Sequence, residues 1–249
     1  MLRVEEMSFG YHQHQVLEQL TLELTEGQMT AVLGINGSGK STLLRNMTGI
    51  LKPAKGTILV EGRDLATMSS REVARQIGYM PQKSNGVTCT VFDAVLLGRK
   101  PHISWEATDH DLEVVAKTLR LLGLEEYALR STAELSGGEL QKVVIARALA
   151  QEPKTMLLDE PVSHLDIRNQ LETMKLLRQV TRSLSLTVAV VIHDLTLALR
   201  FADRFILLSE GRLFASGGRE VITTETIRAV YHIEALVHDC KGIPVVVPI

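Results

Sequence analysis

The stretch GINGSGKST, Gly34 to Thr42, constrains what this chain can fold into more than any other. It fits the pattern G-x-x-x-x-G-K-[ST], with the apolar run Met29 to Leu33 before it and a helical stretch, Ser41 to Leu51, after it. A loop of this kind needs a strand on one side and a helix on the other, so it predicts an α/β layer. Gly34, Gly37 and Gly39 carry no side chains that would keep backbone N–H groups from wrapping a phosphate, and the helix N-terminus adds its dipole. Ile35, Asn36 and Ser38 complete the cradle. Lys40 would reach the β- and γ-phosphates of a nucleotide, and the Ser41 hydroxyl, beside Thr42, would ligate Mg²⁺. At average residue frequencies the pattern arises by chance in roughly one chain of this length in a hundred, which makes a plain glycine turn a weak alternative.

A second motif is TMLLDEP, Thr155 to Pro161, an apolar strand that ends in two acids. Asp159 would hold Mg²⁺ and Glu160 would polarise a water for attack on the γ-phosphate. Alone, a strand capped by solvated acids explains it equally well; with the phosphate loop upstream, the nucleotide reading prevails. The third motif is LSGGE, Leu135 to Glu139, opening a helix striped by Leu140, Val143, Val144, Ala148 and Leu149. Ser136, Gly137 and Gly138, followed by Glu139, offer a hydroxyl and bare backbone to a phosphate at a helix N-terminus. Chemistry alone favours a serine N-cap before an ordinary helix.

Apolar strands at Met29–Leu33, Thr155–Asp159 and Leu186–Ile192 alternate with helical stretches, as in a largely parallel sheet, whereas the alternating strand Leu2–Phe9 looks antiparallel. The run from Phe205 to Ser216 reads as an antiparallel hairpin turning at Glu210 and Gly211. From about Asn85 to Glu152 helical patterns dominate. Between Thr108 and Leu122 the set Leu112, Val115, Leu119 and Leu122 repeats at helical spacing, with Gly123 placed to end the helix. The expectation is one domain: an α/β core of about residues 1–85 and 153–249 around a helical subdomain of about 86–152.

The 249 residues carry 45% hydrophobic and 22% charged side chains with a net charge of -2, which excludes disorder and gives no basic field for nucleic acid. Cys89 and Cys240 form neither a disulfide framework nor a zinc spacing, so a reducing cytosol is expected. The opening MLRVEEMSFGYHQ is no signal peptide, and apolar runs such as Val188–Ile192 fall short of the roughly 18 to 20 residues that span a bilayer. His12 with His14, and His238 with Cys240, supply too few ligands for a metal site.

In this order, the three motifs resemble the nucleotide-binding subunit of ATP-binding cassette transporters over essentially the whole chain, with LSGGE as the family's signature. The resemblance implies a P-loop NTPase core of RecA-like type with an antiparallel β subdomain and an inserted helical subdomain. It implies ATP hydrolysis with Mg²⁺, with Lys40, Gln82, Glu160 and His193 as the catalytic set and Ser41, Gln82 and Asp159 around the metal. Tyr11 falls where an aromatic residue stacks on adenine, and His193 where a switch histidine touches the γ-phosphate. Ser136–Glu139 would close over the ATP of a second, head-to-tail copy, and Ser163, Leu165 and Asp166 belong to the loop that crosses between copies. Taken singly, Tyr11 is a turn aromatic, Gln82 a loop amide and His193 a strand-end histidine capping the next helix. Val162 departs from the family's usual Thr or Ser, and Leu140 and Lys142 from its usual Gln or Arg.

Val91–His102, Gly62–Gln82 and Asp239–Pro248 resemble importer ATPases for iron-siderophores, haem and cobalamin; Ser69 and Glu72 make a helix capping box. That implies separate integral-membrane permease subunits, an external substrate-binding protein and a place on the cytoplasmic face of the membrane. Lys83 to Trp105 would meet the permease, through Val87 and Trp105; as an alternative, Trp105 is a core or loop aromatic. A soluble cassette ATPase acting on nucleic acid or ribosomes is the competing class, without the coiled-coil insertion or basic arms such proteins carry. A P-loop kinase or GTPase is disfavoured by LSGGE and by the histidine after LTVAVVI.

Overall fold

The computed structural model describes residues 1–12, 14–82 and 88–249, so Val87 lies outside the described residues. In chain order the strands are β1 (Leu2–Tyr11), β2 (His14–Leu24), β3 (Met29–Leu33), β4 (Lys55–Val60), β5 (Arg63–Asp64), β6 (Ile77–Met80), β7 (Thr155–Asp159), β8 (Thr187–Val191), β9 (Arg204–Ser209), β10 (Arg212–Gly217), β11 (Ala235–Cys240) and β12 (Ile243–Pro248). The helices are α1 (Lys40–Met47), α2 (Ser70–Gln76), α3 (Val91–Leu96), α4 (Asp109–Leu121), α5 (Gly137–Leu149), α6 (Ile167–Ser183), α7 (Leu195–Phe201) and α8 (Thr224–Tyr231).

A six-stranded sheet in the order β10-β9-β3-β8-β7-β6 forms the centre, parallel except where β10 turns back on β9. Its inner strands β3, β7 and β8 are buried at every residue, as a sheet covered on both faces requires. Alternation along them feeds two cores. Met29, Ala31, Leu33, Val188 and Val190 join the core shared with α3–α8, whereas Val32, Leu157, Ala189 and Val191 join Leu43, Leu44 and Met47 of α1 beneath an antiparallel sheet, β2-β1-β4-β5. Helix α1 therefore lies between two sheets. The hairpin β9–β10 turns through Glu210 and Gly211, both at positive φ, as the sequence predicts.

Between β6 and β7 the described residues form helices and an isolated bridge, Thr90 to Ser131. Within this insert Arg99 joins the first helix to the end of the segment: its guanidinium is buried and donates to Asp111 Oδ1 at 2.9 Å, Glu152 Oε2 at 2.7 Å and the Ala150 carbonyl at 2.8 Å. Arg71 and Arg75, from α2, clamp the following loop by donating to the Pro101 carbonyl at 2.7 and 3.0 Å.

Two local expectations need correction. Helix α1 stops at Met47 instead of Leu51, because Gly49 adopts φ 72° and the Leu51 N–H folds back to the Arg45 carbonyl. On α4, Leu112 faces solvent, and Val114 takes a buried place beside Val115 and Leu119. Trp105 is exposed, as the reading of it as an apolar surface residue expects, with 98% of its surface open in a loop and no place in the core. The capping box of Ser69 and Glu72 is present, and Gly123 takes φ 64° after α4.

Candidate functional site

The parallel sheet carries the chain out of β6, β3, β7 and β8 at one edge, and the motif residues follow these strand ends. After β3 the loop turns at Gly34, φ 144°, where a Cβ would lie 2.3 Å from the Leu208 carbonyl oxygen. It re-enters regular structure at Gly39, φ 99°, where a Cβ would lie 2.4 Å from a Leu17 methyl carbon. Gly39 supplies no side chain to cap α1, which leaves the first N–H groups of that helix to the loop's concave side. Asn36, Gly37 and Gly39–Thr42 line a cavity of about 630 Å³ together with Gln82, Glu160, His193 and Val16.

The Lys40 ammonium is buried and donates to the Gly34 and Ile35 carbonyls at 2.8 Å each. Burial lowers its pKa, opposed by the charges of Glu160 and Asp159. The Ser41 hydroxyl donates to Asp159 Oδ1 at 3.0 Å. Asp159 Oδ2 and Ser38 Oγ are buried with no hydrogen-bond partner among the described residues. Burial raises the Asp159 pKa, the Ser41 hydrogen bond works against it, and the Glu160 charge adds to the rise.

Glu160 sits at φ 53°, a left-handed conformation that costs a non-glycine residue about 1–2 kcal/mol. The turn aims its carboxylate across to β8, where Oε1 lies 2.7 Å from His193 Nε2. His193 does not cap the next helix; Asp194 does, accepting from the Leu197 N–H at 2.8 Å. Val162 is buried in the main core, an apolar seat that a hydroxyl would not improve, and the loop is held instead by Ser163 Oγ donating to the Glu160 carbonyl at 3.2 Å. Leu165 is partly buried, and Asp166 caps α6 through the Asn169 N–H at 2.8 Å.

Ser136–Glu139 are not among the residues lining the large cavity. Ser136 and Glu139 form a capping box at the start of α5, and the Ser136 hydroxyl and N–H hold the Glu139 carboxyl below its usual range. Gly137 instead lines a smaller space of about 180 Å³ with Gln82, Glu160, Ser163 and Leu165, so the signature helix does have neighbours in its own chain. Gly138 packs on Asn169. Tyr11 is half-exposed at the end of β1, edge-on to Phe9 with ring centroids 4.9 Å apart, and is not among the lining residues.

Three participants escaped the motif reading. Val16 lines the cavity from β2, Arg99 fixes the insert, and the Tyr231 hydroxyl, on α8, accepts the Gly34 N–H at 3.0 Å. Val16 and Tyr231 carry no local sequence signal; Arg99 lies inside the segment Val91–His102 but is marked there by no chemistry.

Comparison with known proteins places this geometry among relatives. The ABC transporter family model matches residues 17–163. An uncharacterized ABC transporter ATP-binding protein of Methanocaldococcus jannaschii is 53% identical over 249 residues, covering 100% of this chain and 98% of that one. The ferric enterobactin transport ATP-binding protein FepC of Escherichia coli is 40% identical, covering 100% and 94%. A solved inward-facing structure, described as a putative metal-chelate type ABC transporter, superposes with a TM-score of 0.87 at 34% identity, covering 100% and 97%.

Proposed function

This chain belongs to the ABC transporter family, and from that premise we propose that it powers import of a metal chelate by hydrolysing ATP on the cytoplasmic face of a membrane. One observation carries the chemistry: Lys40, Gln82, Glu160 and His193, from four separate stretches, line one cavity floored by the phosphate loop. Backbone N–H groups from Gly37 to Thr42 bind the β-phosphate, and Lys40 exchanges its loop carbonyls for phosphate oxygens. Glu160 takes the proton of the attacking water, while His193 orients the carboxylate and meets the γ-phosphate.

Mg²⁺ fits the donors present: the Ser41 hydroxyl and the partnerless Asp159 Oδ2 are hard oxygen ligands beside the phosphate loop, with the Gln82 amide on the same cavity. When bound, the ion neutralises charge shared by the β- and γ-phosphates. Tyr11 would stack on the adenine from outside the cavity. The exposed Ser136 and Gly137 at the start of α5 support a head-to-tail pair of chains in which each signature segment, Ser136–Glu139, closes over its partner's ATP, with Ser163–Asp166 crossing between them.

No helix among the described residues is long and apolar enough to cross a membrane, so permease subunits supply the path. Their docking surface includes Trp105, held out into solvent by the loop that Arg71 and Arg75 clamp. The cargo class follows from the relative named for ferric enterobactin transport and the neighbour described as metal-chelate type. An iron-siderophore ranks first, with haem and cobalamin as the other members of the class, delivered by an external binding protein.

Purification from membranes in mild detergent tests this. A multi-helix permease travelling with the chain, with ATPase activity, is expected. Nucleic acid or ribosomes in its place would favour the soluble cassette class, and the chain travelling with no membrane partner would refute the transport reading.

A further inference from the structure

Gly34 is buried at the point where the ladder of β3 ends, so its N–H has no strand to receive it. The partner comes from the far end of the chain. Tyr231, the last residue of α8, places its hydroxyl oxygen 3.0 Å from that nitrogen, a contact spanning 197 residues. On the other side of the same residue, the Gly34 carbonyl accepts from Lys40 Nζ at 2.8 Å. Tyr231, Gly34 and Lys40 thus form a continuous line from α8 to the phosphate-binding cation.

We propose that Tyr231 is a positioning residue for ATP binding, its hydroxyl fixing Gly34 so that the loop keeps its phosphate-ready shape when Lys40 turns to the nucleotide. The anchor is rigid. Ile227 and Val230 on α8 are fully buried in the main core, and the helix ends sharply at His232 in a left-handed turn. The hydroxyl is also chemically constant, because burial pushes its pKa up to about 12 and keeps it neutral across the physiological range. A second bond ties the same C-terminal region to α7, the helix that follows His193: the Val246 N–H of β12 donates to Thr196 Oγ1 at 3.1 Å. The matched family region spans residues 17–163, so the Tyr231 bond to Gly34 reaches the phosphate loop from outside it.

The proposal rests on the nucleotide reading, which ATP binding by the wild-type chain reports separately from any ratio between variants. The test titrates ATP with Mg²⁺ into the full chain carrying Tyr231→Phe, and into a control carrying Val230→Ala, which weakens α8 without touching Gly34. Loss of the single hydrogen bond should raise the Kd about three- to tenfold, with kcat at saturating ATP within twofold of wild type. Val230→Ala should lower the melting temperature and leave the Kd unchanged. A Tyr231→Phe Kd within twofold of wild type would overturn the proposal. So would a Val230→Ala Kd raised as far as that of Tyr231→Phe, because the effect would then be general to α8.

Discussion

Replacing Glu160 with Gln separates binding from chemistry at this site. The change preserves shape: the left-handed backbone at φ 53° carries Gln at the same cost, Ser163 bonds the main-chain carbonyl of residue 160, and an amide can still partner His193 Nε2 at 2.7 Å. What goes is a carboxylate able to accept a proton. Positioned general bases contribute about 100- to 10,000-fold, so kcat should fall by that factor, equivalent to about 3–5 kcal/mol of transition-state stabilisation. ATP affinity should hold or rise, because the lost negative charge lies on the same cavity as the triphosphate's binding groups. It should also let Asp159 ionise more readily, since Glu160 contributes to its raised pKa. The assay pairs phosphate release with an ATP titration on the same preparation. Hydrolysis within tenfold of wild type would show that Glu160 is not the base. A large loss of ATP affinity would show that its role is structural.

Arg99→Met leaves Asp111 buried beside an apolar chain, which should cost about 3–5 kcal/mol and lower the melting temperature by about 6–20 °C for a domain of this size. Calorimetry reads it, and a drop under 2 °C would contradict the buried-pair argument. Asp111 has a folded pKa of about 2, held down first by the Thr108 N–H and then by Arg99. Its stabilisation is therefore present above the ordinary carboxylate value near 4 and is lost as pH falls toward 2, visible as acid melting that is shallower in Arg99→Met. Gly138→Ala would place a Cβ 2.6 Å from Asn169 Oδ1, whose amide bonds the Asp166 cap of α6. It should slow hydrolysis and cost about 1–3 kcal/mol, with ATP binding unchanged by titration.

Legibility followed the range of the cause. The strand, loop and helix around Gly34 were readable because phosphate binding fixes residue types within nine positions, and the turn at Glu210 and Gly211 because a tight hairpin needs positive φ. The end of α1 was misjudged because apolar periodicity runs on to Leu51, while Gly49 closes the helix earlier. Leu112 fits the helical period as well as Val114 does. Only the packing of α4 against α3 and α5 decides between them. Asp194 outcompetes His193 as a cap because its short carboxylate reaches an N–H three residues on, freeing the imidazole for Glu160. Val16 and Tyr231 could not be read at all, since each acts on a loop far away in sequence through a side chain that its own neighbours do not mark.

The same sheet explains why four distant motifs meet and why a fifth stands apart. Strands β3, β8, β7 and β6 are consecutive and parallel, so whatever follows each of them arrives at one edge: Gly34, His193, Asp159 with Glu160, and Gln82. Topology alone assembles these groups, and no helix has to move to bring them together. The signature Ser136–Glu139 opens a helix of the insert, and no strand delivers it to that edge. Its own capping box satisfies the N-terminal groups locally, and Gly137 lines the small space beside Glu160. A phosphate contact by Ser136 therefore requires either rotation of the insert or a second chain. Rotation would strain the bonds from Arg71 and Arg75 of α2, in the core, to the Pro101 carbonyl of the insert. A second chain leaves those links intact, which is the physical ground for the proposed composite site between two copies.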